Sequence, residues 1–122
     1  MGALQLYSYA SCSTCRRALR WLHDRGVAAS ISDITVSPPP LAQLEQALVQ
    51  LGRSRLLNTS GVRYRELGAA TVRAWSDAEL LQALAADGRL IKRPFLVAPD
   101  GTILTGFDPS RWDEVLSGLA SP

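Results

Sequence analysis

Cys12 and Cys15 are the only cysteines in a chain of 122 residues, and they stand three apart as Cys12-Ser13-Thr14-Cys15. Thiols at that spacing can exchange with a disulfide, one attacking and the other resolving the mixed disulfide, because a turn at a helix start brings their Cβ atoms within bridging reach. The flanking patterns place them at such a turn. Leu4 to Tyr9 alternates with the period of a strand, whereas Cys15, Ala18, Leu19 and Leu22 fall on one helical stripe. A strand therefore hands over to a helix N-terminus at Cys12. Free backbone N–H groups and the positive end of the helix dipole favour a thiolate there.

The remaining candidates follow from that position. The amides of residues 13–16, including those of Ser13 and Thr14, would face a thiolate or an anion at Cys12. Cys15 is either the resolving thiol or a core position of the helix stripe. Arg16 could support a thiolate or an oxyanion from the first turn, whereas Arg17 and Arg20 read as a solvated face. In Lys92-Arg93-Pro94, a cis Arg93–Pro94 bond would turn the backbone toward the cysteines. Arg93 would then point into the site; otherwise it is an ordinary strand-edge arginine. His23, near the end of the first helix, reads as solvated. Structural zinc needs four Cys or His ligands, and the chain has two Cys and one His, so no metal is expected.

Composition narrows the class. The length suits one domain, 1–122, and needs no disulfide to be stable. With 13 basic against 11 acidic residues, charge is too balanced to argue for nucleic acid or a membrane surface. No basic segment precedes a long apolar run, position 6 is Leu rather than Ser or Thr, and no apolar run approaches ~18 residues. A cytoplasmic protein is expected, in which a Cys-x-x-Cys pair is more often redox-active than structural.

The elements that must position these residues read as β-α-β, then helices, then β-β-α. Strand 1 spans about 4–9, helix 1 about 13–25 with Gly26 closing it, and strand 2 runs from Val27 to Ile34. Pro38-Pro39-Pro40 launches a helix with Leu41, Leu44, Leu48 and Leu51 on its apolar face and Gly52 at its end. Residues 53–74 read as short helices and turns. Ser76-Asp77-Ala78-Glu79 is a capping box for a helix that Gly88 terminates. Phe95 to Ala98 and Ile103 to Thr105 form a hairpin around Pro99-Asp100-Gly101-Thr102. Asp108-Pro109 opens a last helix lined by Trp112, Val115, Leu116 and Leu119. This order predicts an α/β thioredoxin-like mixed sheet with an inserted helical subdomain at about 38–90, and the loop before strand 3 facing the cysteine turn.

The motifs also carry a resemblance. Tyr7-x4-Cys12-Ser13-Thr14-Cys15-Arg16-Arg17-Ala18, Leu56-Leu57-Asn58-Thr59, Tyr64-Arg65-Glu66-Leu67, Leu90-Ile91-Lys92-Arg93-Pro94 and Gly106-Phe107 resemble the ArsC/Spx/YffB superfamily. It includes glutaredoxin-dependent arsenate reductases, Spx-type regulators and small YffB-like proteins. The similarity runs from Leu6 to about Leu116, and implies a thioredoxin-like core, a cis Pro94 and Arg93 in the site. Arsenate reductases surround their oxyanion with arginines; Asn58 matches one of these positions and about Gly106 another, so the resemblance points away from arsenate. The second cysteine is shared with Spx-type proteins, whose pair is a disulfide switch, and the Asn58 and Gly106-Phe107 segments look more like the YffB-like branch.

These readings imply a cytosolic thiol–disulfide oxidoreductase, or a redox-responsive protein. Cys12 attacks, Cys15 resolves, and Arg93 with Lys92 and Arg16 holds an anionic partner beside Ser13, Thr14 and Pro94. No organic cofactor is implied; electrons would come from glutathione, glutaredoxin or thioredoxin. The partner would be a small thiol or disulfide or a redox protein. Two other readings stand: an Spx-type regulator binding RNA polymerase, and an arsenate reductase.

Overall fold

The computed structural model describes residues 4–120, with side chains through Ser117. Its elements are β1 (Leu4–Ser8), α1 (Ser13–Asp24), β2 (Ala29–Asp33), α2 (Leu41–Leu51), α3 (Arg53–Leu56), α4 (Val62–Leu67), α5 (Ala69–Ala74) and α6 (Asp77–Ala86). A 3-10 turn (Gly88–Leu90), β3 (Phe95–Val97), β4 (Ile103–Thr105) and α7 (Pro109–Ala120) complete the order. The strands lie β2-β1-β3-β4 across one sheet. β2 runs parallel to β1, while β3 is antiparallel to both β1 and β4. A β-α-β half and a β-β-α half thus share one mixed sheet, which is the thioredoxin-like arrangement. The helices from Leu41 to Ala86 lie between the halves in sequence.

Alternation along the strands divides the core in two. Leu4, Leu6, Leu96 and Leu104 face Ala18 and Leu22 of α1 and Trp112 and Leu116 of α7. Tyr7, Phe95 and Ile103 face the opposite way, onto Leu44, Leu56, Val72, Leu80 and Leu84 of the inserted helices. Each face buries its own apolar set, so a one-residue slip in register would exchange the two cores. Polar contacts fix α2 to the sheet: Gln43 bonds Tyr7 and Gln5, and Gln50 bonds the Ile103 amide and the Gly101 carbonyl.

Two sequence expectations need correction. Leu41 is 41% exposed; Ala47 joins Leu44 in the core instead, because the buried stripe of α2 starts one turn in. Gly88 is not itself the cap of α6. Asp87 caps that helix, and Gly88 opens the 3-10 turn with its Cα against the Ile34 backbone carbonyl, leaving no room for a Cβ. The capping box is present in full, Ser76 and Glu79 each bonding the other's amide. The Asp108 carboxylate caps α7 through the Ser110 and Arg111 amides. Leu119 lies outside the residues whose side chains are described.

Candidate active site

Cys12 is the N-cap of α1. Its backbone is extended (φ −90°, ψ 117°), and its Sγ accepts the Cys15 N–H at 3.4 Å. The thiol thus occupies the place where a Ser or Asp oxygen would normally satisfy an open helix amide. Of the amides expected to face it, Cys15 donates to sulfur, while Arg16 donates to the Cys12 carbonyl at 3.1 Å. The Cys12 amide donates to the Tyr9 carbonyl at 3.0 Å, closing the turn after β1.

The facing loop is held by pairing outside the sheet. The Asn58 amide donates to the Leu90 carbonyl at 2.8 Å and the Lys92 amide to the Leu56 carbonyl at 2.9 Å, around a Leu57–Ile91 bridge. This short ladder delivers Lys92 and Arg93 to the cysteine turn. The Arg93–Pro94 peptide is cis, and the Pro94 carbonyl accepts the Gly106 amide at 3.0 Å. Gly106 has φ +70°, the left-handed region that favours glycine.

Together these segments enclose a cavity of about 540 Å³. Cys12, Thr14, Lys92 and Arg93 line it, with Asn58, Ser60, Thr105, Gly106, Phe107 and Asp108. Cys15 is fully buried, and Pro94 is buried beside β3. Ser13 is exposed and does not line the cavity. Neither does Arg16, whose guanidinium donates to the Ala10 carbonyl at 2.7 Å and braces the turn from outside. Arg16 is therefore placed to shape the turn rather than to touch sulfur. His23 is exposed beside Asp24.

The thiols differ as their surroundings dictate. Burial raises Cys12, but hydrogen bonds from the Cys15 thiol and amide and from the Arg93 guanidinium, with the Arg93 charge, outweigh it; Cys12 lies below the ordinary thiol value. Burial, the Cys12 hydrogen bond and the Cys12 charge push Cys15 up to about 11, against opposing bonds from the Tyr9 amide and the Ser8 hydroxyl. Both cysteines are free thiols. Ser8 and Tyr9 escape the sequence reading. Ser8 is a buried polar residue at a strand end, and no one-dimensional pattern marks it; Tyr9 places its ring 4.9 Å from the Arg93 guanidinium.

Fold and thiol pair define a thioredoxin-like protein with a two-cysteine turn, and no described helix is long and apolar enough to cross a membrane. Within that class, the family model described as the ArsC family matches residues 7–115, and the chain belongs to that family. It is 36% identical to the uncharacterized protein YusI of Bacillus subtilis, over 92% of this chain and 97% of that protein. It is 33% identical to an arsenate reductase of Rhizobium meliloti, over 81% of this chain and 71% of that one. Among solved structures, one described as a possible arsenate reductase from Streptococcus mutans superposes with a TM-score of 0.82 at 36% identity, covering 93% of this chain and 99% of the other. The family and these relatives support a thiol-based redox function.

Proposed function

We propose that the chain is a cytoplasmic thiol–disulfide oxidoreductase in which Cys12 is the nucleophile and Cys15 the resolving thiol. The observation that carries this reading is the contrast between the two sulfurs. Cys12 lines the cavity beside Arg93 with its thiol lowered, whereas Cys15 is buried behind it with its thiol raised. The Cys12 thiolate attacks one sulfur of a disulfide; a Cys12 mixed disulfide forms, and the other half leaves as a thiolate that takes a proton from water. Once Cys12 is no longer a thiolate, its charge and hydrogen bond cease to hold Cys15 protonated, and Ser8 and the Tyr9 amide favour ionisation. Cys15 then attacks the Cys12 sulfur, expels the second thiolate and leaves a Cys12–Cys15 disulfide. Two electrons have left the protein, to be restored by two glutathione thiols or by a glutaredoxin or thioredoxin dithiol.

Trapping tests the assignment. With Cys15→Ser, a stable adduct should accumulate on Cys12, visible by mass spectrometry; with Cys12→Ser, none should form on Cys15. Sulfenic acid or intermolecular dimers as the only oxidation products of the wild-type protein would remove Cys15 as a resolver.

Arsenate reduction is the second reading, favoured by relatives named arsenate reductases. Against it, Asn58 and Gly106 line the cavity at the positions the resemblance matches to arginines, leaving Lys92 and Arg93 as the lining cations. An oxyanion needs several converging donors to replace its water. Arsenate turnover should be negligible beside disulfide reduction; saturable, Cys12-dependent arsenate turnover would reverse the ranking. An RNA polymerase pull-down that depends on oxidation would instead favour an Spx-type regulator.

A further inference from the structure

A second, smaller cavity adjoins the first. It measures about 170 Å³ and shares Arg93 and Asn58 with the Cys12 cavity; Tyr9, Val62, Arg63 and Arg89 are among its other walls. We propose that it is a subsite for a carboxylate carried by the disulfide that Cys12 attacks. The inference rests on the thiol–disulfide reading above and names the chemistry of its substrate.

Three arginines are among the residues that line this one small space, and none of its lining residues is acidic. Like charges so gathered repel, and something must hold them. Asp87 does so from outside the cavity. Its carboxylate accepts Arg89 Nε and Nη2, both at 2.9 Å, and Arg63 Nε at 3.1 Å. Glu66 lies 3.6 Å from Arg63. Arg93 is held separately, over the Tyr9 ring. Three cations against two carboxylates leave a net positive charge, and neither carboxylate is among the lining residues. Donors fixed in advance lose little entropy when an anion arrives. The volume, about 170 Å³, equals about six waters at ~30 Å³ each, room enough for a carboxylate. The sulfur would therefore occupy the larger cavity and the carboxylate the smaller, with Arg93 between.

The test compares kcat/KM for glutathione disulfide, which carries carboxylates, with that for bis(2-hydroxyethyl) disulfide, which carries none. The readout is the ratio of the two. Arg63→Gln and Arg89→Gln should each lower it about tenfold, the scale of one charge-assisted bond. Both changes disturb the Asp87 pairing, so a second pair of variants leaves that pairing intact. Val62 is exposed and opens α4. Val62→Glu should lower the ratio and Val62→Lys should raise it. A ratio that none of the four variants alters overturns the subsite and leaves the thiol–disulfide reading standing. Failure of Cys12 to react with either disulfide overturns that reading itself.

Discussion

At the scale of residues, the activity rests on a difference between two like side chains. Cys12 caps a helix beside a guanidinium, and Cys15 lies one turn inward in the core. Alkylation rate against pH, measured on Cys15→Ser, should give a Cys12 midpoint below about 8.5. Arg93→Ala should raise that midpoint, since it removes both a hydrogen bond and a charge that favour the thiolate. Arg93→Lys should restore it only in part, because an ammonium keeps the charge and loses the planar fork. An Arg93→Ala titration identical to wild type would leave that arginine without influence on the thiol. Ser8→Ala should slow the second step and spare the first, because the Ser8 hydroxyl favours the Cys15 thiolate and has no part in lowering Cys12. Rapid-quench measurement of mixed-disulfide decay separates the steps. Equal decay rates would assign Ser8 to packing alone.

Elements meet at contacts that tolerate little change. Gly88 is one: a Cβ there would strike the Ile34 backbone carbonyl, and backbone cannot swing aside as a side chain can. Gly88→Ala should cost about 3 kcal/mol or more, the upper range for overpacking. Urea unfolding measures this, and a midpoint equal to wild type would mean that the turn and the end of β2 separate freely. The Ser76 cap is a milder case. Ser76→Ala removes one side of the capping box of α6 and should cost about 1 kcal/mol. The loss should leave the Cys12 titration untouched, since α6 contributes no residue to the cavity.

For the whole molecule, Asp87 joins α4, through Arg63, to the turn before β3, through Arg89. Hydrogen bonds from Arg89 are the largest influence on its carboxyl, and with Arg63 they outweigh burial and lower it. A lowered carboxyl contributes stability that is present above the unfolded value of about 3.9 and lost as pH falls through the folded one. Asp87→Asn should therefore be less stable than wild type at neutral pH, with the gap closing in acid. A gap constant with pH would mean that the pairing adds nothing beyond packing. Much of this molecule is legible along the chain. Alternation in β1, the stripe of α1, the Ser76 box and the Asp108-Pro109 start each express a local preference, and local preferences need no partner. The Cys12 turn is legible for the same reason, because its N-cap position and its Cys15 partner belong to its own helix. Distance in the sequence hides the rest. Arg16 stands four residues from Cys12 yet bonds the Ala10 carbonyl, while Arg93, 81 positions on, lines the cavity with Cys12 and lowers its thiol. Gly88 reads as a helix stop, but its reason is a carbonyl 54 residues earlier. The gathering of Arg63, Arg89 and Arg93 around one cavity depends on how the inserted helices pack against the sheet. Spacing along a chain reports which side chains share an element; only the packing of elements decides which of them share a site.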